Sequence, residues 1–291
     1  MKKSLVVSFS GGKTSAYMSY RLKTEYADRY DMTFIFANTG QENEATLQFV
    51  DACDWFFGLN VVWVEALVSP RHGVGVAHKV VNFASASRNG EPFEAFIAKS
   101  GIPNANKPQC SDRLKLFPIE SYKDSVGLKG AKHAIGIRAD EARRRSSKPE
   151  TYNLVYPLLD WFPSDKQDVN DFWESQPFNL QLKEYEGNCK TCWKKTDRKL
   201  FLVAKDDPTK FDFCDRMERT YQHVKPNANG ERRVFFRKNR STQDMLAAAA
   251  LHDEATLRRL VEGVDPDDSG GCTESCEAYG SEPPTVDELF R

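Results

Sequence analysis

Leu5-Val6-Val7-Ser8-Phe9-Ser10-Gly11-Gly12-Lys13-Thr14-Ser15-Ala16-Tyr17-Met18 is the stretch whose reading decides the fold. A short run of β-forming apolar residues breaks at two glycines and resumes as residues that suit a helix. The pattern predicts a strand, a tight turn and a helix. Glycines let backbone N–H groups turn toward a ligand, and the first turn of a helix adds unpaired N–H groups and the positive end of its dipole. Ser8, Ser10, Thr14 and Ser15 supply hydroxyls and Lys13 a cation, the combination that a polyphosphate requires.

Working outward, residues 14–23 read as a helix, 32–38 as a second strand apolar on both faces, 44–57 as a helix and 60–66 as a third strand. A further strand is expected near 80–83 and a helix near 92–99. Strands and helices alternating at this length predict an α/β fold, a doubly wound and mainly parallel sheet. Ligands bind such sheets at the carboxyl ends of the strands, so the Ser10 loop and Thr39-Gly40-Gln41-Glu42 are expected side by side. Thr39 and Glu42 could equally serve as helix caps. Residues 134–137 read as a fourth strand that runs into the charged turn Arg138-Ala139-Asp140-Glu141-Ala142-Arg143-Arg144-Arg145.

The 291 residues allow one large domain or two smaller ones. A change of character near Tyr156 divides the chain into an expected nucleotide-binding domain, residues 1–160, and a mostly helical, cysteine-bearing cap, residues 161–291. Within the cap, helices are expected over 165–174, capped by Ser164, and over 242–261. A formal net charge of -1 gives no global field toward nucleic acid. No cleavage-site pattern follows the first apolar run and no segment approaches a membrane-spanning length, so a soluble cytoplasmic protein without a membrane partner is expected. Oligomeric state is not legible.

Two familiar phosphate loops fail on spacing. A Walker A loop needs a glycine where Val7 stands, and no Gly-x-Gly-x-x-Gly occurs there. Ser10-Gly11-Gly12-Lys13-Thr14-Ser15 instead resembles the PP-loop of the N-type ATP pyrophosphatases, usually Ser-Gly-Gly-x-Asp-Ser, with Thr14 in place of the aspartate. Phe36-Ala37-Asn38-Thr39-Gly40-Gln41-Glu42 is similar to the second signature of the phosphoadenosine phosphosulfate (PAPS) reductase branch, and Gly136-Ile137-Arg138 with Asp140-Glu141 to its third. The resemblance implies ATP or a related adenine nucleotide held by Ser8, Ser10, Gly11, Gly12, Lys13, Thr14, Ser15, Thr39, Gly40, Glu42, Gly136 and Arg138, with Mg²⁺ sharing the phosphate charge. Lys13, Ser15, Cys110, Lys115 and Arg138 are the expected catalytic set. Arginine suits Arg138's role because its planar fork takes oxyanions two oxygens at a time.

Seven cysteines occur without a secretion signal, which favours metal ligands, redox thiols or core residues over disulfides. Cys189-Lys190-Thr191-Cys192 can hold one metal or cluster from a single turn. Cys110 opens a helix beside Arg113 and Lys115, where a thiolate is favoured. The expected ligand set is Cys110, Cys189, Cys192 and Cys276, with Cys272 as substitute; Cys53 and Cys214 read as core. Spacing leaves zinc and a [4Fe–4S] cluster both open. The resemblance favours the cluster, because PP-loop relatives that install sulfur in tRNA or DNA, and some sulfonucleotide reductases, carry one near the ATP site.

The resulting expectation is an ATP pyrophosphatase-type enzyme that couples adenylation to sulfur transfer on a nucleotide or nucleic-acid substrate, served by a sulfur donor or reductant protein. PAPS or APS reduction is the second reading, set back because the late cysteines lack the Glu-Cys-Gly-x-His setting of those reductases. A nucleotide- or nucleic-acid-binding module without turnover is the third. Phe235-Phe236-Arg237-Lys238-Asn239-Arg240 reads either as a stacking surface for nucleic acid or as a strand edge with solvated arginines.

Overall fold

A computed structural model describes residues 2–227 and 230–262. Its frame is one sheet of six strands in the order β4-β3-β2-β1-β5-β6. The strands are β1 (Lys3–Ser8), β2 (Tyr30–Asn38), β3 (Val62–Val68), β4 (Val76–Val81), β5 (Lys132–Ala134) and β6 (Leu154–Val155). β1 pairs in parallel with both β2 and β5. The chain therefore winds one way from β1 to β3 and the other way from β1 to β6, and the switch point falls between β1 and β5. β4 departs from the parallel pattern: it runs antiparallel to β3, returning along the edge within a few residues.

β1 carries Leu5, Val6 and Val7 fully buried on both of its faces, as a central parallel strand requires. Helices α1 (Lys13–Glu25), α2 (Glu44–Phe57), α3 (Glu91–Ser100) and α4 (Phe117–Ser125) flank the sheet. The doubly wound α/β architecture expected from the strand and helix pattern is the one observed, and α2 has the bounds expected of it.

The core of the sheet does not stop at residue 160. Helix α5 (Pro157–Asp160) leads to α6 (Lys166–Glu174), whose Val169 and Trp173 join Leu5, Met18, Phe34 and Phe49 in one buried cluster. The cap of α6 is Asp165 rather than Ser164, because Asp165 and Asp168 close a reciprocal capping box while the Ser164 hydroxyl donates to Phe162. A second cluster gathers α7 (Asp197–Asp206), α8 (Asp212–Tyr221), α9 (Thr242–Leu251) and α10 (Glu254–Glu262) against Phe96, Ile97 and Leu114. The single helix expected over 242–261 is thus two, broken where the His252 backbone turns extended. No helix among the described residues is long and apolar enough to cross a membrane.

Candidate nucleotide site and cysteine pocket

The loop after β1 is shaped by two glycines for different reasons. Gly11 has φ +83°, and a Cβ there would stand 2.6 Å from Thr46 Cγ2 on α2. Gly136, just past β5, has ordinary backbone, but a Cβ would meet Ser15 Cα at 3.2 Å. The first lets the loop turn tightly against α2; the second lets the β5 strand end lie against the opening turn of α1. Between them the loop is internally tied. Ser15 Oγ accepts from the Ser10 N–H at 3.1 Å and donates to the Gly12 carbonyl at 3.0 Å, while the Ser10 hydroxyl donates to it at 2.9 Å.

Gly12 caps α1 without any side-chain hydrogen bond, and no acidic residue stands in the first turn. The positive end of the α1 dipole is therefore left for an external anion. Ser8, the last residue of β1, is buried beneath the loop. Trp173 Nε1 donates to the Lys13 carbonyl at 3.0 Å, which seats α6 beside the same turn.

Arg138 lies at this site, 7% exposed. Its Nη1 donates to Thr14 Oγ1 at 3.3 Å, its Nη2 to Asp140 Oδ2 at 2.8 Å, and Glu141 stands 3.5 Å away. Glu141 is buried and also pairs with Arg144. Partial burial pushes the Asp140 carboxyl up, but the hydrogen bond and charge of Arg138 more than offset this and hold it below its ordinary value. In this chain the position where the PP-loop pattern has an aspartate offers Arg138 a neutral hydroxyl, and the carboxylates come from residues 140 and 141.

After β2, Thr39 and Glu42 bond to each other instead of capping α2, whose cap, Asn43, has no side-chain hydrogen bond. The Glu42 carboxylate, 3% exposed, accepts from the Thr39 N–H and hydroxyl, both at 2.9 Å. Two further groups stand near it. Lys115 Nζ is 3.9 Å from Glu42 Oε1, and Cys189 Sγ is 3.9 Å from the same oxygen. Lys115 is delivered by a π-helical stretch, Asp112–Leu116, that begins just after Cys110 and runs into α4. Such wide turns are frequent at functional sites because they redirect side chains.

The Cys-x-x-Cys turn closes the site from the other side. Asn188 Nδ2 donates to the Ser10 carbonyl at 2.9 Å, the Asn43 N–H donates to the Asn188 carbonyl at 2.8 Å, and the Lys190 N–H to the Gln41 carbonyl at 3.0 Å. Lys195 Nζ donates to the Cys189 carbonyl at 2.6 Å and ties the turn from within. Thr39, Gln41, Cys110, Lys115, Cys189 and Cys192 line one small cavity, with Cys214 also on its wall. Among the described residues no three His, Cys, Asp or Glu side chains converge as a single metal ion requires. Cys272 and Cys276 lie outside the described residues.

Sequence reasoning did not find Asn188, Trp173 or Cys214 as site residues. Asn188 adjoins the Cys-x-x-Cys motif, which is the one local signal that could have marked it; Trp173 and Cys214 carry none. Cys53 is a core residue in α2, as expected. Cys214 is equally buried, and burial pushes its thiol up to about 12, yet it also faces the cavity. Phe235 and Phe236 are buried in the second cluster, so they are no stacking surface, and they form no strand; Arg237 donates to the Lys194 carbonyl at 2.8 Å.

A phosphate-sized loop at a strand-to-helix junction, with signatures at two neighbouring strand ends, defines a PP-loop type of nucleotide-binding α/β protein. Residues 4–176 match the phosphoadenosine phosphosulfate reductase domain, and the chain belongs to that family. Over its whole length it resembles an uncharacterized relative, the nin region protein ORF290 of Escherichia phage lambda. The two are 30% identical over 288 residues, covering 95% of this chain and 96% of the phage protein. An uncharacterized Methanocaldococcus jannaschii protein, MJ0066, is 27% identical over 174 residues, which is 55% of this chain and 30% of that one. The U34-tRNA thiolase NcsA from Methanococcus maripaludis, solved with its [4Fe-4S] cluster, aligns with 96% of this chain and 81% of its own at 12% identity. The TM-score is 0.34, a value from which no shared topology follows.

Proposed function

We propose that the chain is an ATP pyrophosphatase-type enzyme that adenylates a nucleotide or nucleic-acid substrate and couples this to sulfur transfer beside a [4Fe–4S] cluster. In the proposed reaction a substrate oxygen attacks the α-phosphorus of ATP. The bond to the bridging oxygen breaks, pyrophosphate leaves with its electron pair, and a sulfur donor then displaces AMP. Lys13, Ser10, Thr14, Ser15 and the loop amides stabilise charge on the departing pyrophosphate, a mainly electrostatic role shared with Mg²⁺. Arg138 orients the phosphates from the β5 side, and Gly136 leaves room for α1. Thr39 and Gly40 border the nucleotide, and Glu42 holds Lys115 toward the substrate.

The observation that carries this reading is the Asn188 bond to the Ser10 carbonyl, which seats the Cys-x-x-Cys turn directly against the phosphate loop. A nucleotide site and a cysteine pocket that meet at Thr39 and Lys115, with Glu42 bonded to the first and 3.9 Å from the second, suit a reaction using both. Cys110, Cys189 and Cys192 are the residues that would hold the cluster, and its donor chemistry matches, since thiolates are the ligands such clusters take. The iron–sulfur core would supply redox-active iron beside the phosphate loop. A single zinc ion needs sulfurs converging to about 2.3 Å from one point. A cuboidal core holds its ligand sulfurs further apart, and this favours the cluster for cysteines that face a common cavity without converging.

The test is anaerobic purification, a visible absorption spectrum, analysis for iron, sulfide and zinc, and measurement of pyrophosphate release from ATP with candidate tRNA and DNA substrates. Iron with matching sulfide and substrate-dependent release are expected. Stoichiometric zinc without iron would sink the cluster, and tight ATP binding with no release on any substrate would leave a binding module.

A further inference from the structure

We propose that Cys214 is the fourth cysteine ligand of the cluster, completing a set with Cys110, Cys189 and Cys192; this assignment rests on the [4Fe–4S] reading above. Buried cysteines ordinarily act as small apolar residues, and Cys53 is one: it packs inside the sheet's core. Cys214 differs in what it faces. It lines the same cavity as the other three cysteines, from the opposite element, α8.

Its position is closely determined. Thr191, between the two cysteines of the Cys-x-x-Cys turn, places its Oγ1 3.2 Å from Cys214 Sγ. Cys214 is the third residue of α8, 2% exposed, and its helix packs through Phe213 and Met217 into the second cluster. A sulfur mounted on a packed helix is held more narrowly than one on a loop. The four cysteines reach the cavity from three places: the lead-in to the π-helical stretch, the turn at 189–192, and α8. An approach from several sides is what a four-thiolate cluster site needs. Cys214 thereby takes the place expected of Cys276 or Cys272.

The experiment purifies the full chain anaerobically as wild type, Cys214→Ala, Cys214→Ser, Cys272→Ala and Cys276→Ala. Iron and sulfide content, absorption and electron paramagnetic resonance are read beside far-ultraviolet circular dichroism. The wild type is expected to hold about four irons per chain. Cys214→Ala should lose about a quarter of its iron or more and gain the resonance of a three-iron cluster. Cys214→Ser should keep iron with a shifted absorption band, because oxygen replaces sulfur at one iron. Cys272→Ala and Cys276→Ala should match the wild type. A folded Cys214→Ala with full iron and an unchanged spectrum would overturn the assignment. Should that variant not fold, an unchanged Cys214→Ser spectrum overturns it alone. A wild-type chain without iron or sulfide removes the cluster reading and this assignment together, whereas a wild-type cluster indifferent to residue 214 removes only the assignment.

Discussion

Gly11→Ala tests whether the phosphate loop owes its shape to the close approach of α2. Two costs add at this position. A side chain at φ +83° is strained by about 1–2 kcal/mol. The new Cβ would also sit 2.6 Å from Thr46 Cγ2, with Phe36 Cε2 at 3.2 Å and Val50 Cγ2 at 3.3 Å. Relieving an overpacked contact of that kind costs about 1–3 kcal/mol. The sum, about 2–5 kcal/mol, is a large share of the roughly 5–15 kcal/mol that holds a domain folded. Thr46→Ser deletes the one methyl that clashes worst and by itself should cost about 1 kcal/mol of lost burial. In the double variant the clash term falls and the φ term stays, so the two changes should couple favourably by about 1–2 kcal/mol. Urea unfolding of the four proteins measures all three quantities. A Gly11→Ala protein within about 0.5 kcal/mol of wild type, or a double variant showing no coupling, would refute the reasoning.

Thr14→Val keeps the shape but removes the oxygen that Arg138 donates to at 3.3 Å, so a loss of about 1.5–3 kcal/mol is expected in the same unfolding assay, and a neutral result would mean that this bond is not formed. His133, 0% exposed, is held well below its ordinary value of 6.5 by burial and then by the nearby Lys123, so the folded protein keeps it neutral while the unfolded chain protonates it as pH falls through 6.5. Its contribution is present above that value and fades below it; His133→Gln should flatten the decline of melting temperature in acid, and an unaltered slope would discount it.

Much of the fold was legible because its signals are local. Apolar runs at strand length, two glycines at a turn and the helical spacing over 44–57 each act within a few residues, where backbone sterics and side-chain burial decide. The same locality explains the misses. Ser164 and Asp165 are both good caps, and only the reciprocal bond with Asp168 selects Asp165. The edge strand was expected near 80–83, whereas β4 spans Val76–Val81, and its antiparallel direction was not legible, since direction depends on how the chain returns along the sheet edge.

By itself the sequence determined an α/β chain with a glycine loop of phosphate-binding pattern at its first strand end, a family, and a candidate ligand set of Cys110, Cys189, Cys192 and Cys276, with Cys272 as substitute. Only the tertiary structure decided what meets that loop. The bond from Asn188 to Ser10 spans 178 positions, and Arg138 reaches Thr14 across 124. Contacts so distant leave no periodic trace, because each is set by packing of whole elements rather than by neighbours in the chain. Cys53 and Cys214 look alike in sequence, each a thiol among apolar residues. One is sealed between sheet and helix and the other opens on a cavity, a difference that depends solely on the face each helix turns inward.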